Sequence, residues 1–154
     1  MIIGIDPGLK GALCFMDHES VTLVDMPLIG KEVDVRAVRR WIASTQPAGA
    51  KVFLEALGVR PRQAGVQCMI RNWQRLEDAV VFADASLTIV QPKQWQKGIV
   101  PASAQGDRKK VIAAYCNYAR KKYPLVELIP PRCKVIQDGR AAALLIAEYG
   151  RGQP

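Results

Sequence analysis

Apolar residues fall in short β-branched runs at the start of this chain and in helical stripes after it. Ile2 to Ile5, Ala12 to Met16 and Val21 to Met26 are three such runs, separated by Pro7-Gly8 and Gly11 and then by a polar turn carrying His18. The pattern predicts an antiparallel meander of three strands. Asp34 then offers a helix N-cap, with Val35, Val38, Trp41 and Ile42 on one face up to the breaker Gln46-Pro47. Val52 to Glu55 reads as a buried strand ending in a carboxylate, and a loop with Gly58 and Pro61 follows. From Gln63 to Ala85, residues Met69, Trp73, Leu76, Val80 and Ala83 recur at helical spacing and predict a long amphipathic helix. Leu87 to Val90 is a fifth strand, closed by Pro92, and Lys93, Trp95 and Lys97 sit in a short helix. Gly98 to Gly106 has the composition of a mobile loop; Asp107 caps a helix through Tyr123, and a last helix runs from near Asp138 to Tyr149 and stops at Gly150.

This succession predicts an α/β fold: a mixed five-stranded sheet, three antiparallel strands then two parallel, flanked by helices. At 154 residues the chain suits one domain, 1–154, and no repeat or linker marks a second. Lys and Arg outnumber Asp and Glu by 22 to 14, a formal charge of +8, so a polyanion is the expected partner. Cys14, Cys68, Cys116 and Cys133 are scattered without a Cys-x-x-Cys pair, which suggests neither a zinc site nor a disulfide framework and fits reduced thiols in a cytoplasm. No apolar run is long enough to span a bilayer and the N-terminus lacks signal-peptide features, so no membrane association is expected. A single histidine argues against chemistry that needs a histidine base or several histidine ligands.

Three acids stand out by position: Asp6 ends the first strand, Glu55 the fourth, and Asp138 opens the last helix. The glycines around Asp6 leave space for a metal ion or a phosphate to approach, though a short Asp side chain also serves as acceptor for its own turn. If the first and fourth strands are neighbours, Asp6 and Glu55 emerge side by side. Abutting carboxylates repel, and either protonation of one or a bound divalent cation relieves them. Oxygen ligands alone select Mg²⁺ or Mn²⁺, and two such ions roughly 4 Å apart suit phosphodiester cleavage. Asp138 has a structural role open to it as well, as a helix N-cap.

Ile3-Gly4-Ile5-Asp6-Pro7-Gly8 with Gly11-Ala12, Phe53-Leu54-Glu55, Val90-Gln91-Pro92-Lys93-Gln94-Trp95 and the run from Asp138-Gly139-Arg140 to Gly150 together resemble Holliday junction resolvases of the RuvC type, in their bacteriophage branch, within the RNase H-like superfamily. The resemblance covers nearly the whole chain. It implies an RNase H-like fold and a metal-dependent endonuclease, acting as a homodimer on branched DNA such as four-way junctions, forks and flaps. In such a site Asp6 would bridge two Mg²⁺ or Mn²⁺ ions, Glu55 would bind one, and Asp138 would come from the last helix.

One position departs from the pattern. Resembling phage proteins read Asp-Gly-Arg-Ala-Asp-Ala-Leu in the last helix, and here Ala142 stands where the second Asp falls. Positions 138 and 142 lie one turn apart on the same face, so an oxygen ligand is missing, and Glu148 faces elsewhere. The alanine reads as a laboratory substitution that traps uncut substrate, as a natural variant with residual activity, or as the mark of a non-catalytic junction binder. Arg60, Arg62, Lys93, Lys97, Arg108, Lys109 and Lys110 flank the strand ends and are the candidate DNA contacts, while Arg71, Arg75, Lys121 and Lys122 suit solvated faces. Trp73 suits a core or a dimer interface, and Met69, Trp73, Leu76 and Val80 form the apolar surface expected to join two copies. Trp95 suits core and base stacking equally. The opening also resembles that of YqgF-like RNA-processing nucleases, against which the long helix from Gln63, the Gln91 to Trp95 segment and the Asp138-Gly139-Arg140 motif favour the resolvase, and the phosphate turn of actin-like ATPases, which need a second such domain.

Overall fold

The computed structural model describes residues 1–45, 49–59, 64–131 and 133–154. Strands β1 (Ile2–Asp6), β2 (Ala12–Met16) and β3 (Val21–Asp25) form the antiparallel meander. A two-residue hairpin, β4 (Leu28–Ile29) and β5 (Glu32–Val33), leads to α1 (Val35–Ser44), whose N-cap Asp34 accepts from the Ala37 amide. Then come β6 (Lys51–Glu55), α2 (Val66–Val81), β7 (Ser86–Val90), α3 (Pro92–Trp95), α4 (Arg108–Lys122) and α5 (Asp138–Arg151). The main sheet has the order β3-β2-β1-β6-β7, with β1, β6 and β7 parallel. The predicted sheet is therefore present, and β1 is its hinge between antiparallel and parallel halves.

Alternation along the strands divides the core between the two faces. Ile3, Ile5, Leu13, Phe15, Val52 and Leu54 point to the side covered by α1 and α2, while Ala12, Cys14, Met16 and Phe53 point to the side covered by α4 and α5. Helix α5 lies directly on β1 because both surfaces are stripped to small residues. A Cβ on Gly4 would sit 2.3 Å from the Ala143 carbonyl oxygen and 2.4 Å from the Ala147 amide nitrogen. Any larger residue there would lift the helix off the strand.

Four expectations are corrected. Helix α2 is shorter than Gln63 to Ala85: Gly65, at φ +76°, precedes it, and Asp84 has left the helix at φ +52°. The β4–β5 hairpin had no strand-length pattern to betray it; α2 holds it instead, since Asn72 accepts from the Val33 amide at 2.9 Å and Arg71 and Arg75 pair with Glu32. Those two arginines are tethers and not merely solvated charges. The Gly98 to Gly106 stretch contains a 3-10 turn at Ala102–Ala104 with Ala104 buried. The expected dimer stripe on α2 is mostly internal: Leu76 and Val80 are fully buried, Trp73 packs against the same cluster, and the exposed apolar residues of this region are Ile70, Val81 and Phe82. A single stripe cannot serve the core and a partner at once. Among the described residues no helix is long and apolar enough to cross a membrane, and the four cysteines are free.

Candidate active site

The sheet register places the first two acids together. Gly4 pairs with Phe53 and Ile5 with Leu54, so the next residues, Asp6 and Glu55, end adjacent parallel strands. Strand parity puts both on the face that carries α5. Helix α5 arrives with its N-terminus over them: a Cβ on Gly139 would meet the Lys10 carbonyl oxygen at 2.2 Å and Asp6 Oδ2 at 2.9 Å, so only glycine permits this approach. Asp138 and Ala142, one turn apart, both line the resulting cavity of about 840 Å³ with Asp6 and Glu55. The placement of Asp6 and Glu55 at strand ends and of Asp138 at the start of the last helix, and the shared face of positions 138 and 142, agree with the sequence reading. The capping role of Asp138 does not: Gln137 is the N-cap and Asp138 is the first helical residue, where its charge complements the helix dipole.

Glycine does less to open the site than expected. Gly8 lines the cavity, but a Cβ on Gly11 would lie 2.1 Å from the Asp6 carbonyl oxygen, so Gly11 is there for close packing of the turn. The Gly11 amide closes that turn on the Gly8 carbonyl at 2.7 Å.

Electrostatically the site is a frustrated acidic cluster. Burial pushes the Asp6 carboxyl up to about 8, with the charges of Glu55 and Asp138 and a hydrogen bond to Glu55 adding to the effect. Burial raises Glu55 as well, offset by hydrogen bonds from Trp95 and Asp6. The metal-free arrangement is thus a protonated Asp6 donating to Glu55. Burial and the nearby negative charge of Asp138 hold the Tyr115 phenol neutral beside them. Among the described residues no ion pair reaches Asp6, Glu55 or Asp138. A pair of abutting, partly desolvated carboxylates without a cationic partner fits a hard divalent cation. The fit extends to the pair and not to a closed cage, because among the described residues no three His, Cys, Asp or Glu side chains converge closely enough to hold one ion. Asp138 acts on Asp6 through its charge.

Around the acids the cavity carries Lys10, Arg108, Gln96, Trp95 and Tyr115. Sequence reasoning passed over Lys10, although its place in the turn between Gly8 and Gly11 beside Asp6 was a usable signal. Trp95 is buried, and its indole N–H donates to Glu55 Oε1 at 2.9 Å. It is not a free stacking surface. Trp73 donates to the Glu55 backbone carbonyl at 2.8 Å. Among the described candidates for DNA contact, Arg108, at the start of α4, lines the acidic cavity; Lys93 and Lys97 line an adjoining groove of about 550 Å³ with Gln105 and Gly106. Lys109 and Lys110 are exposed on the first turn of α4, where Lys110 lies 3.9 Å from Asp107. Arg60 and Arg62 lie outside the described residues. Glu148 points away and pairs with Lys122.

A five-stranded mixed sheet of this order, flanked by helices, is the RNase H-like fold. Among the solved structures that share it are two of RuvC. Thermus thermophilus RuvC in complex with a Holliday junction substrate superposes with a TM-score of 0.58 at 16% identity, covering 96% of this chain and 90% of that one. A second Thermus thermophilus RuvC structure gives 0.55 at 13% identity, covering 97% and 94%. No protein-family model and no curated protein sequence matches the chain.

Proposed function

We propose that this protein is a metal-dependent endonuclease for branched DNA, with four-way junctions as its main substrate, working as a homodimer in the cytoplasm. The observation that carries the reading is the Asp6–Glu55 pair at adjacent strand ends, under the N-terminus of α5 and inside a cavity rimmed by Lys10 and Arg108. The relative whose structure holds a Holliday junction has the same fold, and the +8 charge suits a phosphate backbone. A bound Mg²⁺ or Mn²⁺ would supply water activation and stabilisation of the leaving oxygen. Asp6 and Glu55 would hold it, Asp6 giving up the proton it carries in the metal-free state. Asp138 adds negative charge from the helix side. Lys10 and Arg108 would orient the phosphates flanking the scissile bond, and Lys93 and Lys97 would carry the strand along the adjoining groove. Two equivalent cuts across a junction call for two copies related by a two-fold axis.

Ala142 favours a second reading. It lines the cavity where resembling proteins carry a carboxylate, so the site lacks one ligand for a second ion. A chain with this residue binds junctions and cuts them slowly or not at all. The test is an end-labelled panel of four-way junction, fork, flap, linear duplex and structured RNA, incubated with Mg²⁺ or Mn²⁺, for the chain as it stands and for Ala142→Asp. Selective junction binding by both and junction nicking by Ala142→Asp is the expected result. Equal binding of linear duplex removes the junction reading, and preferential cleavage of RNA replaces it with the RNA-processing one.

A further inference from the structure

Two indoles from different helices grip the same acid. Trp95 of α3 donates to Glu55 Oε1, and Trp73 of α2 donates to the Glu55 main-chain carbonyl. An indole N–H can only donate, so the Trp95 contact commits one lone pair of Oε1 and leaves the remaining lone pairs of the carboxylate to Asp6 and the cavity. The donor is itself immobilised. Pro92 opens α3, the Gln94 side chain accepts from the Gln91 amide at 2.7 Å, and the Trp95 ring packs edge-on against Tyr115 at 5.4 Å between centroids and 70° between planes. Asp6, by contrast, has its side-chain hydrogen bond inside the pair, with Glu55. The acid from β6 is therefore the one whose side chain is aimed by a dedicated neighbour.

We propose that Trp95 is a positioning residue for the metal site: it fixes the Glu55 carboxylate so that a divalent cation shared with Asp6 meets it in one orientation, while Trp73 fixes the main chain of the same residue. This rests on the reading of the Asp6–Glu55 pair as a metal site. Neutral donors that orient a ligating carboxylate have measurable weight, since removing one costs about 10- to 100-fold in metal affinity or activity.

The test uses the whole chain and Mn²⁺ alone. Its three tryptophans give three indole N–H signals in ¹⁵N-labelled protein. Substoichiometric Mn²⁺ broadens the Trp95 signal first; Trp41, which packs on Phe15 on the opposite face of the sheet, broadens last. Calorimetric titration of Trp95→Phe, which keeps a ring against Tyr115 and removes the donor, gives a Mn²⁺ affinity lower by about 10- to 100-fold, at a temperature where circular dichroism shows the variant folded. Trp41→Phe leaves the affinity unchanged. Unchanged affinity in folded Trp95→Phe overturns the inference and leaves the metal site standing, whereas broadening of Trp41 ahead of Trp95 puts the ion on the other face of the sheet and removes the metal-site reading together with the inference. If the unmodified chain takes up no Mn²⁺ by either measurement, the metal-site reading itself falls and takes the inference with it.

Discussion

Replacing Asp6 by asparagine should stabilise the metal-free protein at neutral and alkaline pH while removing its response to Mg²⁺. The carboxyl of Asp6 moves from 3.8 in a free side chain to about 8 in the fold. Between those values the folded state keeps the proton and the unfolded state has released it, so the unfolded state binds fewer protons and stability falls as pH rises. The contribution is intact below the lower value, is lost through the window, and is level above the upper one. At about 1.4 kcal/mol per pH unit, the loss from about pH 5 to about pH 8 is up to roughly 4 kcal/mol, and Glu55, also raised by burial, adds in the same direction. Asparagine has the shape of the neutral acid, can donate to Glu55 as the protonated Asp6 does, and has no proton to lose. Urea unfolding followed by tryptophan fluorescence in EDTA, from about pH 5 to about pH 8.5, should show the original chain losing stability with pH and Asp6→Asn losing much less. The two curves should diverge most at the alkaline end. Mg²⁺ at a hundredfold excess over its dissociation constant should then return about 2.7 kcal/mol to the original chain and nothing to the variant. Parallel pH profiles for the two proteins would refute the argument, because they would mean that Asp6 is ionised and solvated in the fold.

Ala142→Asp should raise Mg²⁺- or Mn²⁺-dependent nicking of four-way junctions by at least about 100-fold, corresponding to about 2.7 kcal/mol of transition-state stabilisation, and Asp6→Asn should abolish the gain; full cleavage by the chain as it stands would show that position 142 holds no ligand. Junction affinity should fall steeply with salt, and Lys93→Ala with Lys97→Ala should flatten the plot of log affinity against log salt by about one unit of slope for each phosphate no longer neutralised, measured by fluorescence anisotropy. Gly4→Ala should cost at least about 2 kcal/mol of unfolding free energy, since its Cβ would lie 2.3 Å from the Ala143 carbonyl oxygen. The same variant should bind metal more weakly, because α5 carries Asp138. Sedimentation at micromolar concentration should give a dimer, and a species of only 17.0 kDa would count against symmetric cleavage.

The strands and the longer helices were legible because their cause is local. Period-two apolar runs and Asp34 and Asp107 as caps act within a few residues of themselves. Even the pairing of Asp6 with Glu55 was implicit, as each ends a strand and parity assigns its face once the strands are neighbours. Tertiary structure decided what depends on residues distant in sequence. Asn72 and Glu32 make the β4–β5 hairpin from a segment with no pattern of its own. Burial of Leu76 and Val80 turned an expected interface into core, a choice that an amphipathic stripe leaves open because it specifies an apolar neighbour and not whose. The indole bonds from Trp95 and Trp73 to Glu55 span 40 and 18 residues, and no spacing rule predicts a bond of that kind. The chemistry of the site divides the same way: residue types set which ion could bind, whereas the depth of burial and the neighbouring charges of Glu55 and Asp138 set which acid carries the proton.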